Sequence, residues 1–205
     1  MSNQTDQTEQ PEAGALMKTR AKLSLLFLMS AAPFVLAYLV FFIKPDWIPS
    51  GTTNQGELIL PPLQATEVGI DAKGLFDGDQ WVFVIPVGAS CDDTCIEALY
   101  LSRQVKTALG KESGRVERIV LTSSPSFTDE FEDLLQQEHG RVGKVFNTGI
   151  PIETQLEQML GRKLESSYIL LMDPNGNIMM LFTLDKAGKP MLKDVKHLLK
   201  ASNIG

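Results

Sequence analysis

The 21 residues from Leu23 to Ile43, LSLLFLMSAAPFVLAYLVFFI, carry no charge and constrain the fold more than any other part of the chain. At about 1.5 Å per helical residue such a run crosses a bilayer core of about 30 Å. Ser30, Ala31 and Ala32 offer a competing reading, a cleaved signal peptide, because small residues mark cleavage sites. Signal-peptide apolar regions run about 7–15 residues, however, whereas this one continues through eleven more after Ala32 and ends in Phe41, Phe42 and Ile43. The expectation is an uncleaved anchor over residues 18–45, spanning about 23–43, with a kink at Pro33. Lys18, Arg20 and Lys22 precede the span and only Lys44 follows it closely, so the positive-inside rule puts the N-terminal side in the cytoplasm and exports the rest. Residues 1–17 read as a disordered tail. Their acidic residues Asp6, Glu9 and Glu12 are the opposite of an Arg-rich mitochondrial presequence, which points to a bacterial inner membrane facing a periplasm.

The formal net charge of −6, from 19 basic and 25 acidic residues, excludes the electrostatic footprint of a nucleic-acid-binding protein. With two cysteines and two histidines in all, a four-ligand zinc site would need every one of them to converge. Cysteine chemistry here is confined to Cys91 and Cys95.

Beyond the anchor, residues 46–75 read as a linker with one weak edge strand around LIL at 58–60, and residues 76–205 as one globular domain. WVFVIPV at 81–87 is near-continuously apolar and β-branched, as in a strand buried on both faces. The three- and four-residue steps among Cys95, Ala98, Leu99, Ser102, Val105 and Ala108 predict a helix to Leu109. VERIVLTS at 116–123 predicts a second strand. FTDEFEDLLQQEHG at 127–140 predicts a helix capped by Thr128 or Asp129 and stopped at Gly140. A short strand at 142–148 and a helix through Ile152, Leu156, Met159 and Leu160 follow. YILLM at 168–172, the DPNG turn and IMMLFTL at 178–184 predict a hairpin, and Met191, Leu192, Val195, Leu198 and Leu199 a final amphipathic helix. The order β-α-β-α-(β)-α-β-β-α belongs to an α/β mixed sheet with flanking helices.

GASCDDTCIEAL sets Cys91 just before a helix and Cys95 four residues on, so the sulfurs fall within disulfide or metal-chelation range. A helix N-terminus favours thiolate over thiol, while Asp92 and Asp93 add opposing charge. The pair follows the C-terminal end of a central strand, where open α/β sheets carry their sites. A static disulfide is the competing structural reading.

VFVIPVGASCDDTCIEALYLSRQ resembles the strand, C-x-x-x-C turn and helix of the Sco/SenC family of the thioredoxin-like superfamily, and YILLMDPNGNIMMLF resembles that family's strand-turn-strand segment. The resemblance runs through residues 55–200 in order. It implies a thioredoxin-like fold behind one N-terminal transmembrane helix. It also implies a role in cytochrome c oxidase assembly, by delivering copper or by keeping the oxidase's copper-site cysteines reduced. Cys91 and Cys95 would be a redox dithiol or two Cu(I) ligands, and an oxidase subunit or other assembly factors the partners.

One departure stands out: the family histidine that completes the metal site would fall within LESSY at 164–168, which contains none. His139, at a helix C-terminus, is expected to cap carbonyls, and His197 lies on the polar side of the last helix. Met172, Met179, Met180 and Met191 are candidate thioether donors, though core packing is their expected role. The thioredoxin cis-proline and C-x-x-C spacing are also missing, so general disulfide-reductase activity does not carry over. Two further readings stay open: a thiol-disulfide oxidoreductase acting on exported proteins, and a non-catalytic scaffold that binds an oxidase subunit.

Overall fold

The N-terminal apolar run forms one uninterrupted helix, α1 (Ala13–Ile43), which continues through Pro33. From residue 20 onward its side chains are turned outward almost all round, Phe27, Met29 and Phe34 among them. A helix with apolar residues exposed on every side needs a nonpolar solvent. Its stretch Arg20–Ile43 is long and apolar enough to cross a membrane, which makes it a candidate single transmembrane span. The computed structural model describes residues 13–43, 53–70, 80–147, 149–164 and 167–202; residues 1–12 of the tail and 46–52 and 71–75 of the linker lie outside the described residues, while 13–17, expected as disordered tail, belong to α1. Two compact units result, residues 1–53 and 54–205.

The second unit is built on a six-stranded sheet of order β1-β6-β5-β2-β3-β4. Strand β2 (Trp81–Pro86) sits inside it, parallel to β3 (Val116–Thr122) and antiparallel to β5 (Tyr168–Met172). Strand β4 (Gly143–Phe146) extends the parallel half. Strand β6 (Asn177–Thr183) returns antiparallel to β5 through the DPNG turn, where the Asp173 carboxylate accepts the Asn175 and Asn177 N–H groups and Gly176 supplies the positive φ of 83°.

The period-two alternation along β2 sorts its side chains between two cores. Trp81, Phe83 and Ile85 pack under α2 (Asp93–Ala108), α3 (Asp129–His139) and α5 (Lys189–Ala201). Val82 and Val84 pack under α4 (Ile152–Leu160) on the opposite face. Helix α3 begins as predicted, with Thr128 Oγ1 accepting the Phe131 N–H, and α4 ends at Gly161 in the left-handed conformation.

The edge strand is larger than LIL. β1 (Glu57–Gln64) runs antiparallel to β6, passes through a cis Leu60–Pro61 bond, and buries Ile59 and Leu63. Prolines are tolerated at this edge because no further strand needs their missing N–H groups. The chain just before β1 is held by the buried Asp194 carboxylate of α5, which accepts the Gln55 and Gly56 N–H groups.

Candidate thiol-disulfide site

Strand β2 delivers the chain to the C-terminal edge of the parallel strands. The Val87 N–H still bonds Leu121 O, and the Thr128 N–H bonds Ala89 O, which ties the loop to the start of α3. The loop then turns into α2, and Cys91 and Cys95 are joined as a disulfide with their Cα atoms 5.3 Å apart. Cys91 is half-buried and stands before the helix, while Cys95 is buried as its third residue, packed beside Ala98 and Leu99. Of the two cysteines, Cys91 is the more exposed.

Asp92 separates them in an extended conformation and is the N-cap of α2. Its Oδ1 accepts the Cys95 N–H at 2.9 Å and the Thr94 hydroxyl at 2.8 Å. Those two bonds, the backbone one first, hold its carboxyl below the ordinary Asp range, so it is a carboxylate at neutral pH. From the sequence, Asp92 is expected only to add charge that opposes a thiolate. In the structure it takes a backbone donor that would otherwise favour a thiolate, and it places a negative charge next to Cys91. Beside Cys91 opens a groove of about 290 Å³ lined by Ser90, Ile96, Thr128, Glu130, Phe131 and Leu134. Ile96 is 39% exposed there, so the approach to Cys91 is partly apolar.

The stretch in which the resemblance placed a missing histidine runs past this site: Ser167 Oγ lies 2.8 Å from Thr94 Oγ1 in the first turn of α2. Glu165 and Ser166 fall outside the described residues. No group of three or more His, Cys, Asp or Glu is gathered as a metal site among the described residues. Met180 and Met191 are buried in one core, against which Met179 packs, and Met172 is buried in the core on the opposite face. His197 is exposed on α5. Among the described residues, then, no third His, Cys, Asp or Glu is gathered with Cys91 and Cys95 into a metal-binding group.

His139 does not serve as the carbonyl cap expected of it. It is 4% exposed, and its Nδ1 lies 3.2 Å from Arg118 Nη2. Arginine has no acceptor, so Nδ1 must accept and Nε2 must carry the proton. Burial first, then the charges of Arg118 and Arg103, lower the imidazole pKa from 6.5 to about 4. Arg118 is a buried cation that the sequence reading did not single out. Its sequence signal is an arginine inside VERIVLTS, on the same face as Val116 and Val120.

Residues 81–202 match the family model of the transmembrane-like, thioredoxin-like, C-terminal domain, which covers more than half of the chain. The chain belongs to that family. Its members' thioredoxin-like fold accounts for the mixed sheet, with the cysteine pair at the mouth of α2. No curated protein matches the sequence. Among solved structures, apo Sco1 of Thermus thermophilus is 15% identical, covering 73% of this chain and 99% of that one at a TM-score of 0.47. Copper-bound ScoI of Bradyrhizobium japonicum is 17% identical, covering 62% and 88% at 0.42. The thioredoxin domain of a thiol-disulfide oxidoreductase from Bacteroides vulgatus is 12% identical, covering 74% and 98% at 0.42.

Proposed function

We propose that this chain is a membrane-anchored thiol-disulfide exchange protein of the Sco-like kind, acting through Cys91 and Cys95 on cysteines of a respiratory oxidase during its assembly. The observation that carries the reading is the asymmetry of the pair: Cys91 is half-buried and opens on a groove, while its partner Cys95 is buried in the first turn of α2. What supports the oxidase as client is the sequence resemblance through the C-x-x-x-C turn and the hairpin segment. Lys18, Arg20 and Lys22, ahead of the apolar run of α1, support a periplasmic domain on a bacterial inner membrane.

In the oxidising direction a client thiolate attacks Cys91 Sγ, the Cys91–Cys95 bond breaks, and Cys95 leaves as a thiolate that takes up a proton. The second client thiol loses its proton and attacks the client sulfur of the mixed disulfide, releasing Cys91. The client pair loses two electrons and two protons as its disulfide forms, and Cys91 and Cys95 gain them. Run backwards, the same steps reduce a client disulfide. Copper enters only as cargo that two thiolates would hold.

The test is a trap. Cys95→Ala removes the resolving sulfur, so Cys91 should accumulate as a mixed disulfide with an oxidase subunit, released by mild thiol and absent in Cys91→Ala. Cys95→Ser checks that the result does not depend on one substitution. Adducts spread over unrelated exported proteins would replace the oxidase by a general clientele. No adduct in either folded variant would overturn the exchange reading.

A further inference from the structure

A second feature lies along the later turns of α2, away from the dithiol. Arg118 projects from β3 beneath α2 and α3 and is only 7% exposed. Its Nε–H bonds Ser102 Oγ at 3.1 Å, and its Nη2 bonds Leu99 O at 3.1 Å and His139 Nδ1 at 3.2 Å. All three acceptors are neutral. Its Nη1 makes no hydrogen bond, and no carboxylate pairs with it, among the described residues. Buried charges are ordinarily paired, because an uncompensated ion loses its hydration without replacement. Desolvation lowers the guanidinium pKa to about 10, which still leaves it cationic at neutral pH.

Arg118 lines a cavity of about 320 Å³ together with Arg103, Lys106, His139 and Arg141. The carboxylates on the same wall are Glu117 and Glu138. Glu117 is taken by Lys106 Nζ at 2.7 Å. Arg103 reaches the backbone carbonyl of Glu138, not its carboxylate, and Arg141 is exposed and unpaired among the described residues. With His139 neutral, four cations face two carboxylates, in a chain whose net charge is −6. The wall also presents groups aimed by other contacts: the free Nη1 of Arg118, and the remaining N–H groups of Arg103, which also stacks on Tyr100 at 5.8 Å.

We propose that this cavity binds a small dianionic oxyanion of the phosphate class, either the free ion or the head of a phosphomonoester, with Arg118 as the buried anchor and Arg103 and Arg141 as outer donors. An excess of two positive charges matches a dianion, and the planar guanidinium fork matches two of its oxygens. The ion would supply a counter-charge in contact with Arg118, on which the Glu117 carboxylate acts only from beyond ion-pair distance. The proposal stands apart from the thiol chemistry, since none of these residues touches the cysteine pair.

The test uses the full chain in detergent with inorganic phosphate, glycerol 3-phosphate and chloride as probes at matched ionic strength, read by calorimetric titration. Phosphate should bind with a Kd below about 1 mM, and chloride should give no saturable heat. Glycerol 3-phosphate binding at least as tightly would identify a phosphomonoester, and its exclusion the free ion. Arg118→Lys keeps the charge but removes the fork and should weaken phosphate by about tenfold or more. Arg141→Gln, at an exposed position, should weaken it by about threefold. Absence of saturable phosphate binding to the wild type, or binding left unchanged in Arg141→Gln and in folded Arg118→Lys, would overturn the proposal.

Discussion

The depressed pKa of His139 makes the domain's stability depend on pH in a defined way. A base whose folded pKa lies below its unfolded value contributes fully when both states are neutral. That contribution is lost as pH falls, because the unfolded chain takes up the proton first. For a folded value of about 4 against 6.5 unfolded, the window opens near pH 6.5 and closes near pH 4. Linkage gives a loss of about 2 kcal/mol between pH 7 and pH 5 from this one group. The figure is reasonable for a side chain only 4% exposed, wedged against a guanidinium that cannot move away because Ser102 and Leu99 also hold it. Carboxylates titrate in the same range, so the measurement must be a difference. His139→Gln offers Arg118 a side-chain carbonyl in place of Nδ1 and removes the titration. Urea unfolding of the full chain in phosphate-free buffer, followed by tryptophan fluorescence, should show wild type losing about 2 kcal/mol more than His139→Gln from pH 7 to pH 5. His197→Gln, at an exposed position, should leave the wild-type profile unchanged. Parallel profiles for wild type and His139→Gln would refute the reasoning.

The Cys91–Cys95 bond closes a loop of sequence separation 4, for which chain entropy gives about 2 kcal/mol, so reduction should lower Tm by about 4–8 °C at most. A Cys91→Ala/Cys95→Ala chain melting far below that would mark the bond as a structural staple. For copper, two thiolates suit Cu(I), which accepts low coordination, but leave Cu(II) without nitrogen donors. The reduced chain should therefore lose Cu(I) to a competing chelator under anaerobic conditions and hold no stable Cu(II), and Ser166→His should increase retention. Tight one-to-one Cu(I) binding by the unmodified chain, abolished by Cys91→Ala, would show the missing histidine to be dispensable.

What was legible in the sequence is what depends on neighbours a few residues away. The apolar run of β2, the helical steps of α2, the Thr128 cap and the DPNG hairpin follow from local periodicity and turn chemistry, and the structure has each of them. The position of the cysteine pair was legible for the same reason. Asp92 as the cap was not, because Asp92, Asp93 and Thr94 all have capping side chains and only the backbone conformation at one of them decides. The full length of β1 was hidden behind LPPL, which reads as a turn until β6, more than a hundred residues later, is there to pair with it. The Arg118–His139 contact needed both the alternation of β3 and the docking of α3, and no local pattern encodes their conjunction.

Helix α2 joins the two sites and keeps them apart. Its first turn carries Cys95 and the Asp92 cap, whereas Ser102, Arg103 and Lys106 belong to its third and fourth turns, against the start of β3. Cys95 and Arg103 are eight residues apart, which is about 12 Å of helix. Groups so separated, with no shared hydrogen-bond partner, ordinarily contribute additively. Phosphate affinity should then be the same for the oxidised and reduced chain, and adduct formation by Cys95→Ala should be insensitive to Arg141→Gln. If either varied with the other, α2 itself would have to move between the redox states, and its contacts with β3 through Arg118 would be the place to look for that movement.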